Sequence, residues 1–131
     1  MIQSGTVKVL FLDDDPERQK YFRHALDGVR VELTAVTTSA EAIAELEKQR
    51  FDVVCLDHDL DGRIFVESGP GTGYEVAERL LSTVNRDAQV VVHTLNEAGA
   101  RKMLDLLGPK AVWVPFFNIK VITNAIRLGA R

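Results

Sequence analysis

The stretch Val7-Lys8-Val9-Leu10-Phe11-Leu12-Asp13-Asp14-Asp15-Pro16 decides the fold. Its first six residues are β-prone and almost wholly apolar, and they end abruptly in three acids and a proline. A short run of that kind reads as a strand buried on both faces. Pro16 suits the first turn of a helix, with Asp15 as its N-cap. Tyr21, Phe22, Ala25 and Leu26 then fall at helical spacing, which predicts a helix over 16–27 stopped by Gly28. The same strand-to-acid break returns at Phe51–Leu56, followed by Asp57-His58-Asp59.

Between and beyond these two breaks the period keeps alternating. Val29–Val36 reads as the second strand, and Thr38-Ser39-Ala40-Glu41 as a capping box opening a helix to about Gln49. Thr72-Gly73-Tyr74-Glu75 reads as another capping box, opening a helix to about Val84. Ala88–Val92 is the fourth strand and ends in His93-Thr94. Asn96 caps a helix to Leu107, Ala111–Val114 is a short fifth strand, and a last helix spans about Asn118 to Leu128. The one long irregular stretch is Leu60–Gly71. Its end, Gly69-Pro70-Gly71-Thr72-Gly73, fits either a flexible lid or a plain helix start.

This is an α/β pattern, (βα)5. Strands apolar on both faces and joined by helices imply a doubly wound parallel five-stranded sheet with right-handed crossovers. The flavodoxin-like strand order 2-1-3-4-5 sets strands 1 and 3 side by side at a switch point, and ligands bind outside their carboxyl ends. Asp13, Asp14, Asp57, His58 and Asp59 fall there, with His93 and Thr94 next to them on strand 4.

The chain has 131 residues, 46% of them hydrophobic, enough for one compact domain over 1–131. A single cysteine, Cys55, excludes a disulfide framework and sits inside a strand, as a core residue would. No apolar run reaches the ~18 residues of a membrane span, and no secretory leader is apparent, so a reducing cytoplasm is expected. A net charge of −3 is no footprint for strong nucleic-acid backbone binding. His24 reads as a surface residue and Trp113 as packing.

Several carboxylates in one crevice repel one another, and keeping them ionised calls for a cation. Hard oxygen donors without cysteine suit Mg²⁺ or Mn²⁺. Asp13, Asp14, Asp57 and Asp59 are the candidate metal ligands. Asp57, His58 and His93 are candidate catalytic groups, since a histidine can exchange protons near neutral pH. Thr94 and Asn96 are candidate phosphate-binding residues. An acidic triplet can also serve only as a helix cap, and a strand-end histidine can be purely structural.

Across nearly its whole length the chain resembles the receiver domains of bacterial response regulators. Leu12-Asp13-Asp14-Asp15-Pro16-Glu17-Arg18 is similar to the receiver's first acidic turn, where two acids hold Mg²⁺. Phe51-Asp52-Val53-Val54-Cys55-Leu56-Asp57 is similar to the strand ending in the phosphorylated aspartate, and Val114-Pro115-Phe116 falls on the receiver's Lys-Pro-Phe. Val114 therefore stands where the receiver keeps a lysine, and Lys110 is four residues away. Ala111 stands at the switch aromatic, and Leu95 replaces a small residue. Asp57-His58-Asp59-Leu60, His93-Thr94-Leu95-Asn96 and Gly99-Ala100-Arg101-Lys102-Met103 resemble a divergent branch, the cyclic-phosphate-processing receivers.

That resemblance implies a metal-dependent phosphoesterase processing cyclic phosphate ends, its partner a phosphate-containing small molecule or a nucleic-acid end. Two other readings stay open. One is a signalling module phosphorylated at Asp57. The other is a pseudo-receiver that works through a protein partner. Oligomeric state is not legible in the sequence.

Overall fold

The computed structural model describes residues 6–60 and 62–129. The expected domain limits at 1 and 131, and Asp61 of the irregular stretch, lie outside the described residues. Five parallel strands, β1 (Val7–Leu12), β2 (Val31–Val36), β3 (Val53–Leu56), β4 (Gln89–Val92) and β5 (Ala111–Trp113), are ordered β2-β1-β3-β4-β5. Helices α1 (Pro16–Ala25), α2 (Ser39–Lys48), α3 (Gly73–Leu80), α4 (Glu97–Leu107) and α5 (Lys120–Gly129) connect and cover them. This is the expected flavodoxin-like fold, strand order included.

Side chains alternate across each strand, so the sheet has two cores. Leu10, Leu12, Leu56 and Val92 pack under α2, α3 and α4. Val9, Phe11, Cys55 and Val91 pack under α1 and α5, with Phe22 and Ile126. Cys55 is fully buried, and desolvation pushes its thiol up to about 12, as an inert core residue. His24 is exposed beside Asp27. Trp113 packs against the first core and donates from Nε1 to the Thr94 carbonyl at 2.9 Å.

Several element ends differ from the sequence expectation, each because a turn takes the backbone first. β2 starts at Val31 because Val29 is bound into the turn after Gly28 (φ +78°), its N–H donating to the Leu26 carbonyl. β3 starts at Val53 because the Phe51 N–H is held by Asn85 Oδ1 at 2.7 Å. α3 ends at Leu80, where a run of turns replaces the expected last helical turn. A short 3₁₀ turn, Phe116–Asn118, delays α5 to Lys120.

The capping box at Thr38–Glu41 forms, but the one at Thr72–Glu75 does not. Thr72 Oγ1 instead exchanges hydrogen bonds with the Gly69 backbone, and Glu75 Oε1 accepts from the Gly71 N–H. The Gly-Pro-Gly segment, not the helix, takes both side chains.

Asn85 shows how a turn can carry a fold. Buried between α2 and β3, it accepts from Phe51 and donates to the Leu46 and Gln49 carbonyls at 2.9 and 2.8 Å. Each buried group left without a partner costs about 1–3 kcal/mol. Asn85→Ala strands three such groups, so urea unfolding should show a loss of at least about 2 kcal/mol.

Candidate functional site: an acidic crevice at the ends of β1 and β3

β1 and β3 pair in register, Leu12 against Leu56, so the residues that follow them meet at one edge. One oxygen from each of Asp13, Asp14 and Asp57 falls within a 4.8 Å group. Asp13 is fully buried and Asp57 nearly so. Desolvation raises Asp13 to about 6, against hydrogen bonding from the Asp15 N–H. Desolvation, then the Asp13 charge, raises Asp57 to about 7, opposed by hydrogen bonds from the His58 N–H and the Thr94 hydroxyl. Asp14 is less buried and its Oδ2 accepts from the Gly62 N–H at 2.6 Å. A metal fits this site: hard oxygens converge, and their charges are costly without a cation.

The cation the structure supplies is Arg18, which sequence reasoning missed. Its Nη1 lies 3.3 Å from Asp13 Oδ2 and 3.6 Å from Asp57 Oδ2, and its Nε lies 3.5 Å from Asp15 Oδ2. The guanidinium also sits over the Phe116 ring, 5.6 Å from its centroid. A signal was present. Arg18 occupies the first turn of α1, where a positive charge opposes the helix dipole, so something else holds it there. Val114, at the expected lysine position, packs against the α1–α5 core, and Lys110 is not among the crevice residues.

The crevice has a volume of about 370 Å³. Asp14, Asp57, Arg18, Arg63 and Thr94 bring charge and hydrogen-bonding capacity to it, and Ile64, Phe65 and Leu95 give it an apolar wall. Neither histidine lines it. Both are fully buried, and they lie on opposite sides of the sheet.

His58 points toward α4. Its Nδ1 is 2.7 Å from Asp59 Oδ1 and its Nε2 is 2.9 Å from Ser68 Oγ. A Cβ on Gly99 would come within 2.6 Å of the imidazole, so α4 closes over the ring only because that residue is glycine. Gly73 is fixed likewise, because a Cβ there would overlap the Asp57 carbonyl. His93 points to the other side and stacks on Phe11, with centroids 4.8 Å apart. Its Nε2–H donates to the Leu12 carbonyl at 3.2 Å. Its Nδ1 has no partner among the described residues and faces Asp13 Oδ2 at 3.6 Å. Burial, then the Arg18 charge, lowers His93 to about 3, so the ring is neutral.

Two more expected site residues have other partners. Asp59 lines the crevice but stands outside the three-carboxylate group: its Oδ1 faces His58 and accepts from Asn96 Nδ2 at 3.1 Å, and its Oδ2 accepts from the Phe65 N–H at 2.6 Å. Asn96 caps α4 through the Gly99 N–H and donates to the Val66 carbonyl, so its hydrogen-bonding groups are engaged within the protein. Thr94 does line the crevice, hydroxyl to Asp57.

Comparison with known proteins agrees with this geometry. The family described as "Cyclic-phosphate processing Receiver domain" matches residues 8–108. The chain belongs to that family. No curated protein shows a significant match to it. Among solved structures, this receiver is similar to the phosphorylated cyanobacterial phytochrome response regulator RcpA, with TM-score 0.73 and 21% identity over 96% of each chain. It is also similar to the receiver domain of sensor histidine kinase PA1611 from Pseudomonas aeruginosa, which holds magnesium in its active-site cleft. There the TM-score is 0.69 at 19% identity, over 92% of this chain and 96% of that one. The Mn²⁺-bound response regulator Rcp1 matches with TM-score 0.67 at 19% identity, over 92% and 89%. At these identities the likeness is one of fold.

The raised carboxyls of this receiver make its metal-free stability depend on pH. A carboxyl whose folded pKa lies above its unfolded value stabilises when protonated, and that contribution is lost as pH rises from about 4 to about 7. His93, lowered on folding, acts in the opposite sense below about 6.5. Comparing variants isolates Asp57. In metal-free buffer, Asp57→Asn should gain stability relative to wild type between pH 5 and pH 8, as read by thermal melts. Mg²⁺ should raise the wild-type Tm and have much less effect on the variant.

Proposed function

We propose that the crevice binds a phosphate ester together with a divalent ion and hydrolyses it, a cyclic phosphate on a nucleotide or nucleic-acid end being the substrate that suits it best. The observation that carries this reading is the meeting of three carboxylates, two of them buried, with the Arg18 guanidinium, at a cavity that Asp14, Asp57 and Arg18 line. Buried acids with strongly raised pKa in a cleft mark functional sites more often than structural ones. Asp13, Asp14 and Asp57 would hold Mg²⁺ or Mn²⁺, which supplies Lewis acidity to the phosphoryl group when bound.

The chain's own residues do the rest. Arg18 and Arg63 hold phosphoryl oxygens, and Thr94 orients one of them. In cyclic phosphate opening, water forms a new O–P bond as one ring P–O bond breaks. The water loses a proton and the released hydroxyl gains one. A carboxylate of the cavity wall moves that proton, since neither imidazole lines the cavity. His58 is a positioning residue: with Asn96 it fixes Asp59 and, through it, the backbone at Phe65.

A second reading is a receiver that binds phosphate, or carries it on Asp57, without turnover. It is favoured by the sealing of both histidines away from the crevice and by Val114 at the lysine position.

Turnover of adenosine 2′,3′-cyclic phosphate with Mg²⁺ or Mn²⁺ separates the two. Asp57→Asn should lose ~10²–10⁴-fold in rate, and Arg18→Ala about 10²-fold. Chelation should abolish activity, and His24→Ala should change nothing. A wild type that binds phosphate but shows no turnover, and forms a stable aspartyl phosphate detected by intact mass, would replace the enzyme with the second reading.

A further inference from the structure

We infer that Phe65 is a specificity-determining residue, a stacking platform for a flat ring carried by the phosphate ester. This rests on the reading of the crevice as a phosphate site and adds which esters it prefers.

Phe65 is in an unusual position for a phenylalanine. It is 70% exposed, so the core does not use it. Its φ is +52°, and among the described residues it alone occupies that region without being glycine. A bulky side chain there is strained and is kept only where the surroundings hold it. They do hold it. The Phe65 N–H is bound at 2.6 Å by Asp59, and Asn96 holds the carbonyl of Val66 at 3.0 Å. Asp59 is in turn fixed by the buried His58. A network sealed beneath α4 therefore clamps the backbone on both sides of an exposed aromatic residue.

The place where that ring is presented tells what it is for. Phe65 lines the same cavity as Asp57, Arg18 and Arg63, and also borders a smaller hollow of about 130 Å³ that carries Lys102. The guanidinium of Arg63 donates to the Leu60 and Gly71 carbonyls and meets no carboxylate among the described residues. Its N–H groups face the same cavity as the carboxylates of Asp14, Asp15, Asp57 and Asp59, so an anion is held there together with the divalent ion. The cavity thus offers Arg18 and Arg63, with a divalent ion on the acids, to a phosphate, and Ile64, Phe65 and Leu95 to a flat apolar group. A ligand using both is a phosphate on a nucleoside, and the volume is of the size that holds one small molecule.

The test compares adenosine 5′-monophosphate with ribose 5-phosphate, which differ only by the base, by calorimetry on the full chain with Mg²⁺. Stacking on an aromatic side chain is worth at least about fivefold in affinity. Wild type should therefore bind the nucleotide at least about fivefold more tightly. F65A and F65G should bring the two ligands level without weakening ribose 5-phosphate, and F65Y should keep the preference. F65G also relieves the backbone strain, so a loss in that variant reports the ring and not a damaged loop. Binding of adenosine monophosphate should shift the Phe65 ring protons upfield in NMR spectra. Equal wild-type affinities for the two ligands would overturn the platform while leaving the phosphate site intact, with the exposed ring free for a macromolecular contact. Failure of both ligands to bind would overturn the phosphate reading along with it.

Discussion

Two carboxylates buried where β1 meets β3 set the terms for the rest of this molecule. The parallel pairing of Leu12 with Leu56 brings Asp13 and Asp57 to one edge of the sheet, where both are buried and Arg18 of α1 lies against them. Burying like charges together is costly unless something opposes them. Arg18 opposes them from the first turn of α1, backbone N–H groups from Asp15 and His58 opposes them locally, and the arrangement leaves a natural place for a divalent ion. The helix dipole would discourage an arginine in that turn, and the acids outweigh it.

On the other side of the sheet a second set of interactions serves the loop. His58, Asp59, Ser68 and Asn96 form one hydrogen-bonded group under α4, and the close approach of that helix depends on Gly99. Of this group only Asp59 reaches the crevice wall, and it sets the backbone that carries Phe65 there. A histidine sealed in this way is suited to holding a geometry rather than to exchanging protons with solvent. His93 likewise is sealed in the core, stacked on Phe11 and neutral, with its Nε2–H held by the Leu12 carbonyl.

The split between the two histidines was legible in principle. Successive residues of a strand point to opposite faces. Asp57 continues the alternation of Cys55 and His58 that of Leu56, so the neighbours could not both face the crevice. Grouping them by closeness in sequence overlooked that parity. The parity of His93 sets it with Val91, on the side of Phe11, which is where it lies.

Sequence alone determined the alternation of strands and helices, the burial of the strands on both faces, and the acids at the ends of strands 1 and 3. These are local properties, written in hydrophobic period, caps and abrupt changes of residue type. The metal-compatible trio and Thr94 follow from the same positions. Tertiary structure decided the rest: that Arg18 turns back onto Asp13 and Asp57, that Asp59 and Asn96 bind the loop, and that Glu75 is drawn to Gly71 instead of capping its own helix. Each of these depends on which partner wins a side chain able to reach several. That competition is settled by packing between segments far apart in the chain, and no local pattern records it.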